Sequence, residues 1–224
     1  MKNAIAIILL AVTSFAVYSQ DGNLKKKTYF RIGLSIPTWK YYGIDGKSDW
    51  EDNIKRTGGI FEVGSIYMLN GIKIAPGMRI GINLDYLSLD YHRFSVSGSD
   101  IRNNFVYVGS KIGPSFSYSP VNKLVFDTYF KFNPVWVAGN LVSFHDENIE
   151  DELFLGFMGI KYSVGLNVRY SLLMLGFEFN PGFAKLRYYD TAENKLTDDY
   201  MGNDDDNGDK TPVPGFNITL GLSF

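Results

Sequence analysis

The sequence predicts an all-β chain that closes as an eight-stranded antiparallel transmembrane β-barrel with short periplasmic turns and four long extracellular loops. Three observations predict it: an export address at the N-terminus, period-two alternation along nearly all of the remaining chain, and charges confined to one face of that alternation. The 224 residues allow one medium domain, and 22 Lys+Arg against 24 Asp+Glu give a formal charge of −2. That balance offers no basic footprint, so nucleic acid is not an expected partner. With 45% hydrophobic and 21% charged residues, the composition is not that of a disordered chain. Cysteine is absent, which excludes disulfides, thiolate metal sites, cysteine nucleophiles and a lipid-anchored lipoprotein.

The first element is an address. Lys2 supplies a positive start, and residues 4–17 are apolar apart from Thr13 and Ser14. Val17 and Ser19 then stand at the −3 and −1 positions of a cleavage site, with Gln20 opening the mature chain. The run is too short for a comfortable membrane span. Residues 1–19 are therefore expected to be a signal peptide, and residues 20–224 the barrel domain. No later stretch approaches the ~18 apolar residues of a membrane-spanning helix.

Eight segments follow with alternating character: 29–36, 61–68, 73–86, 105–118, 124–136, 158–170, 173–184 and 215–224. The last is the clearest, with Phe216, Ile218, Leu220, Leu222 and Phe224 alternating with Gly215, Asn217, Thr219, Gly221 and Ser223. Strict alternation puts one set on each face of a strand. No position on the apolar faces is charged. The opposite faces carry Arg31, Glu62, Lys73, Arg79, Asp85, Lys111, Asp127, Lys131, Lys161, Arg169 and Glu178, interspersed with glycines.

The connections alternate too. Short turns at Leu69-Asn70-Gly71, at 119–123 and at Ser171-Leu172 join strands two to three, four to five and six to seven. Long polar segments, 37–60, 87–104, 137–157 and 185–214, join the others. An even strand number with short turns on one side and long loops on the other is the pattern of an outer-membrane barrel. Most segments meet the ~9–11 tilted residues that a bilayer crossing needs.

Energy decides which face meets lipid. A Lys or Arg there costs about 2–4 kcal/mol at the bilayer midplane, so the charged face points inward. Eight strands enclose a lumen that side chains can fill, and buried charges must pair. The expected lumen network sets Arg31, Arg79, Lys111, Lys131, Lys161 and Arg169 against Glu62, Asp85, Asp127 and Glu178, as a structural plug rather than an ion path. Tyr67, Phe116, Tyr118 and Tyr170 fall near the short-turn ends, and Trp136 and Phe183 near the long-loop ends, as interfacial aromatics do. Pro76, Pro114, Pro134 and Pro181 lie inside proposed strands and strain the scheme, because each lacks a ladder donor.

On these features the chain resembles small eight-stranded bacterial outer-membrane proteins of the OmpA/OmpX type. The closing segment from Phe216 through Leu220 and Leu222 to Phe224 looks like the C-terminal signal read by the barrel-assembly machinery. The Ser19-Gln20 junction and the length look like the PorT-like barrel proteins common in Bacteroidota. The resemblance implies an outer-membrane location, outer-membrane lipids and lipopolysaccharide as surroundings, and assembly-machinery contact during biogenesis. The PorT-like resemblance would imply a role in protein secretion, for which no residue here is diagnostic.

Chemistry has few places to sit. Ser143, His145 and Asp146 or Glu147 include the residue types of a nucleophile set, but the spacing is generic. His92 reads as a solvated loop residue. Asn203, Asp205, Asn207 and Asp209 place oxygens at alternate positions around Gly208, as a hard cation prefers, but an EF-hand glutamate is replaced by Pro214. Asp146, Glu147, Glu150, Asp151 and Glu152 add an acidic rim that suits divalent cations bridging to lipopolysaccharide phosphates. Trp39, Tyr41, Tyr42 and Trp50 enrich the first loop in aromatics. No cofactor is expected. The expected function is a non-enzymatic outer-membrane barrel serving envelope structure, surface binding or adhesion through acidic extracellular loops. Two alternatives stay open: a soluble exported lipocalin-like barrel binding an apolar ligand, and an outer-membrane enzyme modifying lipid A.

Overall fold

Alternating apolar and polar side chains, with many aromatic and β-branched residues, favour extended strands, and in the computed structural model nearly every described residue is in one. The structure describes residues 27–38, 54–96, 102–121, 123–145, 148–190, 195–197 and 210–224. Its strands are β1 (Lys27–Pro37), β2 (Ile54–Lys73), β3 (Met78–Val96), β4 (Arg102–Val121), β5 (Leu124–His145) and β6 (Asn148–Tyr170). They continue with β7 (Leu173–Asn180), β8 (Gly182–Asp190), β9 (Lys195–Thr197), β10 (Lys210–Pro212) and β11 (Gly215–Ser223).

Each strand from β1 to β6 pairs antiparallel with the next. The seventh wall is β7 continued by β8, both paired to β6, and the eighth is β10 continued by β11. Closure comes from β1 against β11, in register from Tyr29 opposite Ser223 to Pro37 opposite Gly215. The fold is thus a closed eight-stranded antiparallel barrel, as predicted. Closure leaves no sheet edge around the wall.

Several boundaries differ from the sequence expectation. The first tight turn is not at Leu69-Asn70-Gly71, because β2 runs through those residues to Lys73. The chain reverses at 74–77, where Met78 N donates to Ala75 O at 3.0 Å and Gly77 takes a positive φ of 74°. Pro76 therefore sits in a turn, where it belongs, and not in a strand. Pro181 breaks the seventh wall between β7 and β8, and its carbonyl accepts from Tyr162 N at 2.7 Å. Pro114 and Pro134 do lie in strands and face outward; neither has a partner in the β4–β5 ladder, although both pair on their other side.

Two expected loops are largely strand. β3 continues to Val96 and β4 begins at Arg102, while β5 and β6 run to His145 and from Asn148. Strands of 22 and 23 residues exceed a bilayer crossing by roughly a factor of two. The signal peptide, Trp39, Tyr41, Tyr42, Trp50, Asp146, Glu147 and the Asn203, Asp205, Asn207 and Asp209 segment lie outside the described residues.

A β-bulge explains the missed extension of β3. Asp85 pairs Lys111 and Ser88 pairs Gly109, so β3 spends one residue more than β4 across that interval. On the β2 side Val63 pairs Leu87 and Gly64 pairs Asp85, which identifies Tyr86 as the extra residue. Beyond it the parity of the strand inverts. Asn83 and Asp85 point inward below the bulge, and Ser88, Asp90, His92 and Phe94 above it.

The two faces of the wall differ sharply. Leu34, Leu220, Met158, Trp136, Tyr170 and Ile32 are each about 60% exposed on the outside. Among residues with described side chains, Lys55 and Lys123 are the only charged ones classed with the exposed residues, and both lie near strand ends. The lipocalin-like alternative required apolar faces turned inward, and the structure turns them outward.

Candidate functional site: the lumen charge network

Small residues on the inner face leave space that long charged side chains fill. A Cβ at Gly165 would overlap the Tyr129 ring, and one at Gly176 would approach Arg31 Nη1 to 2.9 Å. These glycines are there because a neighbouring wall sends a large side chain across the lumen. Among the described residues five cations (Arg31, Lys111, Lys131, Lys161, Arg169) and five anions (Glu62, Asp85, Asp90, Asp127, Glu178) are buried.

Glu178 on β7 is the hub. It pairs with Lys111, with Arg31 Nη2 at 3.1 Å and with Lys131 at 3.7 Å, and accepts the Tyr129 hydroxyl at 2.9 Å. Arg31 also pairs with Glu62 and donates to Asn167 Oδ1 at 2.8 Å. Lys111 reaches Glu62 at 2.6 Å, and Lys131 reaches Asp85 at 2.5 Å while lying 4.2 Å from the Tyr129 ring centroid. Tyr29 closes this central group by donating to Asn83 Oδ1 at 2.7 Å. Charges removed from water to this degree persist only when paired and hydrogen-bonded.

Two further groups flank the hub. Towards the short turns, Arg169 grips Asp127 with two bonds of 2.5 and 2.9 Å, and Ser117 donates to the same carboxylate at 2.5 Å. Tyr29, Ile66, Met68 and Met174 form an apolar cluster inside the barrel. Towards the long loops, His92 Nε2 lies 2.8 Å from Ser35 Oγ and 3.1 Å from Asp90 Oδ1, and Lys161 Nζ lies 3.7 Å from Asp90 Oδ2.

His92 is therefore a buried lumen residue, not a solvated one, and it shares this upper group with Asp90; both were hidden by the inverted parity above Tyr86. Arg79 does not join the network. It is half-buried near the short turn and donates to Met78 O at 2.9 Å. The other nine charges expected in the lumen are all buried there. On the last strand, Leu220 is 60% exposed and Phe216, Leu222 and Phe224 lie partly exposed on the same outer face, Phe224 beside Phe30 with centroids 6.2 Å apart.

No protein-family model matches the sequence, and no curated protein matches it. Solved outer-membrane proteins are similar to the chain in fold. Ail, the attachment invasion locus protein of Yersinia pestis, aligns with a TM-score of 0.48 and 12% identity over 89% of this chain and 99% of that one. The outer membrane protease OmpT from Escherichia coli gives 0.44 and 13% over 89% and 96%. The outer membrane protein OprG from Pseudomonas aeruginosa gives 0.40 and 12% over 91% and 98%.

Ser35, His92 and Asp90 have the residue types of a hydrolytic triad without its geometry. A triad needs the acid and the nucleophile on opposite nitrogens of the imidazole. Here both oxygens face Nε2, and all three residues are buried. What the lumen can do chemically is hold charge in place. The backbone of Ser143 and His145 lies on β5, opposite Asp151 and Asn148 of β6. Among the described residues no group of three or more His, Asp or Glu can hold a metal ion.

Proposed function

We propose that this chain is an outer-membrane barrel that conducts nothing through its lumen and serves envelope structure or surface binding through the segments at its long-loop end. One observation carries the reading: among the residues with described side chains, ten formal charges are buried inside, while the outer wall presents apolar side chains and no exposed charge except near strand ends. Water would favour the opposite arrangement, and hydrocarbon favours this one. The lumen network supports the non-conducting part, since each of the ten charges lies within 4 Å of an opposite one.

The test uses the outer-membrane fraction on a denaturing gel, boiled and unboiled, followed by reconstitution in planar bilayers. A band that shifts on boiling and a bilayer without conductance steps is the expected result. A protein recovered soluble with no shift would sink the membrane reading. Stable unitary currents from the folded protein would sink the plugged lumen. The cation-bridging role of the acidic rim is read by surface Ca²⁺ affinity in a variant with Asp146, Glu147, Glu150, Asp151 and Glu152 neutralised; unchanged affinity would remove it.

A further inference from the structure

Between the central group around Glu178 and the upper group around Asp90 the barrel encloses a cavity of about 10 Å³. It is lined by Ser88, Asp90, Tyr107, Lys111, Asn133, Val135, Lys161 and Asn180, all buried. About that much space is needed to seat the centre of one water, and none remains for a larger guest.

The groups around it are incompletely served by the protein. Asn133 Oδ1 is buried with no hydrogen-bond partner among the described residues. Ser35 Oγ donates to Asn217 Oδ1 at 2.8 Å and lies 2.8 Å from His92 Nε2, and Asp90 Oδ1, although 3.1 Å from the same nitrogen, has no hydrogen-bond partner among the described residues. Lys161 Nζ stands 3.7 Å from Asp90 Oδ2, beyond direct hydrogen bonding. The residues that carry this cationic donor and these two acceptor oxygens therefore all line a space of one water's size.

We propose that this cavity is a binding site for a single structural water that joins the two buried charge groups. The water accepts from Lys161 and donates to Asp90 and Asn133, which gives it three bonds, the usual number for a buried water. A monatomic cation is opposed by Lys111 and Lys161 in the wall, and a monatomic anion by Asp90. A neutral molecule that both donates and accepts suits the mixed lining.

The test is a high-resolution crystal structure of the detergent-solubilised protein, grown in chloride and again in bromide. One density peak within hydrogen-bond distance of Lys161, Asp90 and Asn133, with no anomalous signal in bromide, is expected. An anomalous peak would replace the water by a halide. An empty cavity, or Lys161 in direct contact with Asp90, would overturn the site. Thermal unfolding of Asn133→Leu gives an independent sign. Displacing a bound water strands Lys161 and Asp90, and the midpoint falls by about 2–4 °C or more. If the cavity is dry, the same substitution removes an unpaired acceptor, and the midpoint holds or rises, against the proposal.

Discussion

Glu178 receives three cations and a tyrosine hydroxyl from three other strands, Arg31 from β1, Lys111 from β4, and Lys131 and Tyr129 from β5. Its carboxylate is the single group on which the central lumen converges. Glu178→Gln keeps the volume and removes the charge, leaving Lys111 to rely on Glu62 alone and Lys131 on Asp85 alone. Uncompensated buried charge costs about 3–5 kcal/mol. The expected outcome is a large fall in the urea midpoint of the folded barrel in lipid vesicles. A midpoint within error of the parent would mean that the cations find other partners and that Glu178 is no hub. Conventional sequence patterning foresaw that Glu178 faces inward, because alternation alone decides that. It did not foresee the convergence, because which side chains meet across a lumen depends on register and stagger, which no single strand carries.

Bulges and turns are where the strands depart from their own pattern. Tyr86 is an extra residue in β3, and a bulge leaves a backbone group outside the ladder. Ser110, a polar residue on a largely apolar outer face, donates to Tyr86 O at 2.9 Å and meets that need. In hydrocarbon no water replaces it. Ser110→Ala should destabilise the barrel by about 1–3 kcal/mol, measured as faster unfolding of the unboiled gel band in urea, whereas Ser110→Thr should keep the bond and the stability. Equal loss in both would point to packing instead. The same bulge limited what the sequence disclosed. Strict alternation ends at Tyr86, so Ser88, Asp90 and His92 looked like loop although they continue the strand with inverted phase. The turn at 74–77 was obscured by Asn70-Gly71, a strong local hairpin signal that β2 overrides by running on to Lys73. Ser171 turns the chain between β6 and β7 with φ of 56°, where a side chain is disfavoured by about 1–2 kcal/mol. Ser171→Gly should raise the unfolding midpoint, although part of the gain is offset by the greater freedom of glycine in the unfolded chain. A lowered midpoint would assign the serine side chain a bond that matters more than the strain.

At the scale of the molecule, the barrel is an ordinary protein turned inside out, and its interior is held by charge balance where a soluble domain uses apolar packing. Among the described residues five buried cations face five buried anions. If balance and not any particular ion is what the fold requires, a pair removed together should matter far less than either member removed alone. Arg169 and Asp127 suit the test, because their two-bond grip engages no other ion pair among the described residues. Asp127→Leu strands a guanidinium and should cost about 3–5 kcal/mol, and Arg169→Met should strand the carboxylate at a similar cost. The double substitution leaves only the Ser117 hydroxyl without its acceptor, and replacing a buried pair by apolar groups is often neutral or stabilising. Urea midpoints of the four proteins, read from the heat-shifted band, form a double-mutant cycle. A double variant near the parent, with both singles well below it, is the expected result. If the two losses simply add, the pair acts through shape and not through charge, and a neutral lumen is not the principle on which this barrel is built.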